Sequence, residues 1–209
     1  MDLHPVFRPS VPTDGQSILA IMDACVEWMN TRTGGGQWGP QLFSAAPGGG
    51  AGWTQSGGGD VVHEGTGQRF VLEVDDWEEA NDIDMKEGRQ RRVGGWVGLS
   101  TKHPRYVPKH PTSHIYISTL AIHPAVHHRG LGAVFISSIK ALAHQRDGAQ
   151  LLRLDCWGGN TAGGEEGKTL IEAWERLGFV RKQEVGPDGE ARGEKGEEKP
   201  WVQVMELWL

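Results

Sequence analysis

The spacing of hydrophobic positions changes several times along the chain, and each change marks an element. Ile18, Ile21, Met22, Cys25, Trp28 and Met29 recur at helical spacing behind a Thr13-Asp14 N-cap, which predicts a first helix ending by Gly34-Gly35-Gly36. A short strand, His4 to Arg8, precedes it. Arg69 to Val74 reads as a second strand from its Phe, Val and Leu content, and Arg92 to Ser100 as its partner. The glycines of that partner predict a bulge or a close backbone approach. Ser113 to Ile122 is a further strand. Leu131, Phe135, Ile139 and Leu142 then fall on one face of a helix that Asp147-Gly148 stops. Leu151 to Cys156 is the next strand, and Trp157-Gly158-Gly159-Asn160 opens a loop after it. Leu170, Ile171, Trp174 and Leu177 form a last helix closed by Gly178, followed by strands at Phe179 to Val185 and Trp201 to Leu209.

The segments between are polar or glycine-rich. Gly triplets at 34–36, 48–50 and 57–59 read as long loops around one helical turn near Gln41-Leu42-Phe43. Residues 75–91, acidic then basic, read as an insertion in a hairpin loop, and 186–199 as a solvated hairpin loop. Residues 101–112 hold three prolines and must be loop.

The resulting order is β-α-(short helix)-β-β-β-α-β-α-β-β. It predicts an α/β (α+β) class: a mixed sheet with helices on both faces. The strand–turn–helix–strand unit from Ser113 to Cys156 makes its two strands parallel, joined by a right-handed crossover. The whole chain, 1–209, reads as one domain with insertions near 34–60 and 75–91.

Composition narrows the function classes. The hydrophobic share is 37% with 31 glycines, which fits glycine-rich loops diluting an ordinary core. The net charge is −6 and the one basic cluster is Arg89-Gln90-Arg91-Arg92, so no nucleic-acid partner is expected. The sequence has no apolar leader and no apolar run of about 18 residues, so a soluble, cytoplasmic protein without a membrane partner is expected. Cys25 and Cys156 fall in predicted regular elements and read as two buried thiols.

Candidate chemistry gathers in residues 120–133, LAIHPAVHHRGLGA. A strand meets Pro124, then a polar turn, then Gly130-Leu131-Gly132 at a helix start. The first N–H groups of a helix have no intrahelical partner and sit at the positive end of its dipole, so this turn can cradle a phosphate. Arg129 adds a full charge. Phe135 stands where the third Gly of a dinucleotide fingerprint would be, and no Gly-Lys-Ser/Thr follows, so neither common nucleotide motif fits.

In this context the chain resembles the GNAT superfamily of N-acetyltransferases. Element order matches over essentially the whole chain. His127-His128-Arg129-Gly130-Leu131-Gly132-Ala133 is similar to the superfamily's Gln/Arg-x-x-Gly-x-Gly/Ala acetyl-CoA signature. Leu154-Asp155-Cys156-Trp157 with Asn160 resembles the end of the fifth strand and its CoA-contacting Asn. Trp174 to Phe179 resembles the Tyr-x-x-x-Gly-Phe segment of the last helix, and Trp28 with Gln37-Trp38 is similar to a segment after the first helix in one branch. His127 replaces the usual Gln or Arg, and Trp174 the usual Tyr.

The resemblance implies a mostly antiparallel sheet of six to seven strands whose parallel central pair splays. It implies direct acetyl transfer from acetyl-CoA, a cosubstrate needing no metal, to an amine of a small molecule or peptide. The alternative is a non-catalytic acyl-CoA-binding or regulatory domain; the assembly is read as monomer or homodimer. Cofactor contacts are expected from Leu120, Ala121, Ile122, His127, His128, Arg129, Gly130, Leu131, Gly132, Ala133, Asn160 and Trp174. A protonated His127 would face a phosphate. The amine needs a base, for which Glu73, His114, His123 and Asp155 are candidates. An indole offers no useful acidity, so Tyr116 is a candidate to protonate the leaving thiolate in place of Trp174.

Overall fold

A computed structural model describes residues 5–33, 38–46, 67–75, 91–145, 148–159, 165–186 and 201–209. The elements are β1 (Val6–Pro9), α1 (Gly15–Thr33), β2 (Gln68–Asp75), β3 (Arg91–Ser100), β4 (His114–Ile122), α2 (Leu131–Gln145), β5 (Leu151–Gly159), α3 (Glu165–Arg176), β6 (Val180–Val185) and β7 (Trp201–Trp208). The strands form one seven-stranded sheet in the order β1-β2-β3-β4-β5-β7-β6, with every pair antiparallel except β4–β5.

Strand alternation sorts the apolar side chains onto two faces. Phe70, Leu72 and Val74 of β2 join Leu131, Phe135 and Ile139 of α2 and Ile171 of α3. Val71, Trp96 and Ala121 point the other way, against Ile18, Ile21, Met22 and Cys25 of α1. Farther along that second face, Tyr116 packs with Val107, Val185 and Val204. The expected helices on both faces are present, and both thiols are free and buried. No described helix is long and apolar enough to cross a membrane.

The feature that positions a site is a fork. β4 and β5 pair only from His114↔Leu151 to Ile117↔Leu154. Beyond that, β4 stays with β3 up to Ile122, while β5 stays with β7 up to Gly159. A bulge marks the parting. Leu99 faces Ile117 and Gly98 faces Thr119, so Ser118 is an extra residue on β4. A second bulge leaves Gly94 unmatched on β3, where its carbonyl accepts from His123 N–H at 2.8 Å. The glycines of β3 thus supply both the bulge and the close approach that the sequence suggested.

Three local expectations change. Residues 41–46 form turns closed by Ala45→Leu42 and Ala46→Phe43 backbone bonds, not a helical turn. β5 runs through Trp157 to Gly159 instead of opening a loop, because β7 continues to pair with it. Gly158 makes that possible: a Cβ there would lie 2.4 Å from the Trp201 ring. β1 begins at Val6, and His4, Asn160 and most of the insertions expected near 34–60 and 75–91 lie outside the described residues.

Candidate active site

The fork encloses a cleft of about 450 Å³. Ser118, Thr119 and Leu120 of β4 form one wall and Asp155, Cys156 and Trp157 of β5 the other. Alternation gives its two sides different chemistry. On the helix α3 side stand Leu154, Cys156, Leu170 and Trp174, an apolar surface. On the α1 side stand Tyr106, Tyr116, Asp155 and Trp38.

Asp155 accepts from both tyrosines. The Tyr116 hydroxyl donates to its Oδ1 and the Tyr106 hydroxyl donates to its Oδ2, the latter at 3.1 Å. These are the only two tyrosines in the chain. Burial and the neighbouring carboxylate push the Tyr106 hydroxyl well above the usual phenol range, so it stays protonated and donating.

The loop that carries Tyr106 is fixed by a buried cation. Arg153, on the same face of β5 as Asp155, donates through Nη1 to the Pro108 carbonyl at 2.9 Å and through Nε to Glu206 at 3.0 Å. Val107 is fully buried, and its N–H closes a turn onto the Pro104 carbonyl. Trp38 is braced edge-on by Phe43 at 5.9 Å, in a segment tied to α1 through Asn30 and Asp23.

At the far end of β4 lies the glycine turn. His128 and Gly130 both take positive φ, 62° and 77°, around an exposed Arg129. Alternating backbone of this kind turns successive N–H groups into one concavity. α2 begins at Leu131, and Ala133 and Val134 donate back to Gly130 at 3.0 and 3.2 Å. The N–H groups of Leu131 and Gly132 are left without intrahelical acceptors. Because His123 N–H turns to β3, alternation aims the backbone groups of Leu120 at the cleft.

The structure therefore brings Tyr116, Asp155, Leu120 and Trp174 around one cleft, while His128 to Ala133 follow the end of β4 and do not line it. It does not bring in Glu73, which is held by Arg8. The guanidinium binds Glu73 at 2.6 Å and Asp14 at 2.7 Å, joining β1, β2 and the start of α1. Glu73 lines no part of the cleft. His127 also departs from expectation. Its ring turns back onto β4, with Nε2 donating to the Ile122 carbonyl at 2.9 Å, and it meets the Trp28 ring edge-on at 4.9 Å. It holds the turn against the strand end instead of facing a phosphate. Cys25 donates to the same carbonyl at 3.3 Å. Ala121 faces α1. His123 caps the short turn after β4, its Nδ1 accepting from Ala125 N–H at 3.2 Å.

His114 sits behind Tyr116, not in the cleft. Its Nδ1 donates to the Thr112 carbonyl at 2.9 Å, and its Nε2 is buried with no partner among the described residues. Burial, then Arg153 and the nearby His103 and His110, hold its pKa below the usual histidine value. The unfolded chain therefore binds a proton that the folded chain refuses. Stability should fall as pH drops below the ordinary histidine pKa of about 6.5. Melting His114→Gln beside the parent from pH 7.5 to 5.5 checks this; the variant should show the shallower acid loss. Equal slopes would remove His114 as its source.

Among the described residues, no group of three or more His, Cys, Asp or Glu is placed to hold a metal. Cys156 lines the cleft, but burial pushes its thiol up to about 12, so it is no nucleophile at neutral pH.

No family model and no curated protein matches the chain. Solved structures do match in fold. Spermidine N-acetyltransferase from Vibrio cholerae, in complex with CoA and spermine, is 13% identical, covering 98% of this chain and 95% of its own, with a TM-score of 0.56. NAA60 from Arabidopsis thaliana in complex with acetyl-CoA is 12% identical over 98% of each chain, with a TM-score of 0.53. An acetyltransferase of the GNAT family from Streptococcus pneumoniae is 13% identical, covering 99% of this chain and 100% of its own, at 0.51. The chain has the GNAT fold.

Proposed function

We propose that the protein is an acetyl-CoA-dependent N-acetyltransferase that transfers acetyl directly to an amine. The observation that carries this is the fork itself: unpaired β4 edge groups, an Asp155 carboxylate between two hydroxyls, and a helix start behind Gly130. The likeness in fold to structures holding CoA with spermine and acetyl-CoA supports it.

The N–H groups of Leu131 and Gly132, with Arg129, bind the pyrophosphate. The amides of the pantetheine arm pair with the cleft-facing edge of β4 at Leu120, as an added strand would. An N–H on that edge polarises the thioester carbonyl, strengthening as the oxyanion forms. Trp174 and Leu170 wall the acyl side against water, and the amine enters from the Asp155 side. Asp155 takes the proton of the incoming ammonium. The freed nitrogen attacks the acetyl carbon; the N–C bond forms and the C–S bond breaks. Asp155 sheds that first proton to solvent and takes the second from the nitrogen as the C–S bond breaks. Tyr116 passes its proton to the thiolate and regains one through Asp155, so one ammonium proton ends in solvent and another on the thiol. A thiol pKa near ~8.5 makes the thiolate a tolerable leaving group already. The inert Cys156 favours direct transfer over an acetyl-cysteine intermediate. The Asp155–tyrosine arrangement favours catalysis over a purely regulatory role.

Gly132→Ala tests the cradle. A Cβ there meets Leu177 at an ordinary 3.6 Å, so the fold has room for it. Helix propensity adds up to about 1 kcal/mol of stability. A phosphate against that backbone has less room, so CoA affinity by calorimetry should fall about tenfold or more while Tm holds or rises. Unchanged affinity would place the pyrophosphate elsewhere. Thiol release from acetyl-CoA across an amine panel tests the reaction.

A further inference from the structure

Three histidines gather where the loop carrying Tyr106 meets the sheet. His103 and His110 belong to that loop, residues 101–113, and His114 opens β4. The His114 ring stacks on His103 at 5.8 Å and meets His110 edge-on at 6.3 Å. Two of their nitrogens have to stay unprotonated. His114 Nδ1 donates to the Thr112 carbonyl, so its Nε2 holds the lone pair, buried without a partner among the described residues. His110 Nδ1 accepts from Thr112 N–H at 3.1 Å. A proton on the first finds no acceptor, and a proton on the second meets another donor. The charges around the cluster add to this. Arg153 of β5 lies close enough to His114 to oppose its charging, as do His103 and His110. Glu206 of β7 faces His110 at 3.8 Å, but Arg153 at 3.0 Å and Lys182 of β6 at 3.7 Å already share that carboxylate. Tyr116 stands beside His103 at 6.1 Å, with its hydroxyl turned to Asp155. The loop itself carries Lys102, Arg105 and Lys109, and residues 101–114 contain no Asp or Glu.

We infer that this histidine cluster is an acid-sensitive latch on the 101–113 loop, closed while the imidazoles are neutral and opened when His114 takes a proton. The loop's own contacts define what opens. Tyr106 leaves Asp155, the Pro108 carbonyl leaves Arg153, and buried Val107 leaves Val185 and Val204. These valines and Tyr116 form a cluster separate from both main cores, so the loop can open with the sheet intact. Pro104 and Tyr106 line the cleft, so part of its wall goes with them. In the open loop His114 has an ordinary pKa of about 6.5, whereas burial and Arg153 hold it lower in the closed state. Opening therefore takes up a proton below about pH 6.5, and acid favours it. For one such histidine the open-to-closed ratio rises by up to about tenfold from pH 7.5 to 5.5.

Hydrogen exchange of the full chain, read by mass spectrometry at pH 7.5 and 5.5 and corrected for intrinsic rates, tests the latch. Neither CoA nor amine is present, so the outcome stands apart from acetyl transfer. Amides of 101–113, among them Val107 N–H on the Pro104 carbonyl, should open about tenfold more at pH 5.5. At both pH values they should exchange at least about tenfold faster than those of β2 and β3, since the loop opens without the sheet. His114→Gln keeps a donor for the Thr112 carbonyl, and His114→Phe keeps a ring against His103; neither takes the proton. In each that folds, the pH response of the loop should shrink to within about twofold. A tenfold response that persists in a folded His114 variant overturns the latch. So does a parent whose loop responds less than twofold, or one whose loop exchanges only together with β2 and β3. Should neither variant fold, the parent's pH response and the contrast between loop and sheet decide.

Discussion

Replacing Asp155 with Asn should lower kcat/KM for the best acceptor by roughly 10²–10³-fold, the usual cost of losing a positioned proton acceptor. The substitution keeps side-chain volume and still offers an oxygen to one tyrosine. The second tyrosine can rotate its hydroxyl and accept from the new NH₂ group. Packing around Val107, Tyr116 and Val204 is therefore kept, and Tm should move little. CoA binding should stay within about twofold, since the proposed pyrophosphate cradle and the β4 edge lie elsewhere. Steady-state kinetics with a CoA titration on the same preparation read all three quantities. Activity within fivefold of the parent would remove Asp155 from the chemistry. A loss of CoA affinity equal to the loss of turnover would make it structural.

Much of this site was legible in the sequence because strand and helix periods are local. The alternation in Ser113–Ile122 and the glycines after it identified β4 and the helix start at Leu131 without tertiary information. The order of elements then required β4 and β5 to be parallel, and the resemblance added that they splay. Tyr116 and Asp155 were each singled out, but nothing local says that they touch. That contact depends on the register Ile117↔Leu154, which sets Tyr116 and Asp155 on the same face as neighbouring rungs part. Tyr106 was hidden for a different reason. It sits in a proline-rich loop whose position is set by Arg153 reaching Pro108, a contact across 45 residues. The usable signal was composition: two tyrosines against nine tryptophans, only ten positions apart.

The misplaced residues fail for equally physical reasons. Glu73 lies on a strand like a base candidate, but Arg8 is already its partner across the β1–β2 register, where Val6 faces Glu73. His127 occupies the first position of the signature's match, yet its ring nitrogen binds the Ile122 carbonyl at the end of β4. Trp157 was assigned to a loop because Gly158 and Gly159 follow it. Gly158 instead leaves room for the Trp201 ring, and β5 pairs with β7 as far as Gly159, which delivers Trp157 to the cleft.

Gly95→Ala should destabilise the sheet by about 2–3 kcal/mol, in the range for forcing a methyl into a packed core. Its Cβ would lie 2.8 Å from the Ala121 carbonyl of β4 and 2.8 Å from the Phe135 ring of α2. The ring can tilt, but the carbonyl belongs to the neighbouring strand and cannot yield without opening the β3–β4 pair. For a chain of this length the cost corresponds to a Tm lower by roughly 5–10 °C. It should also reach the site. Ala121 adjoins Leu120, which lines the cleft, and α2 begins at the proposed phosphate cradle. Pushing β4 and α2 apart separates the two halves of the proposed cofactor surface. CoA affinity measured well below the melting range should then fall together with stability, unlike Gly132→Ala, where affinity falls alone. A Gly95→Ala protein that melts early but binds CoA as the parent does would show that the fork tolerates displacement of β4. The cofactor contacts would then have to come from the α2 turn without the strand.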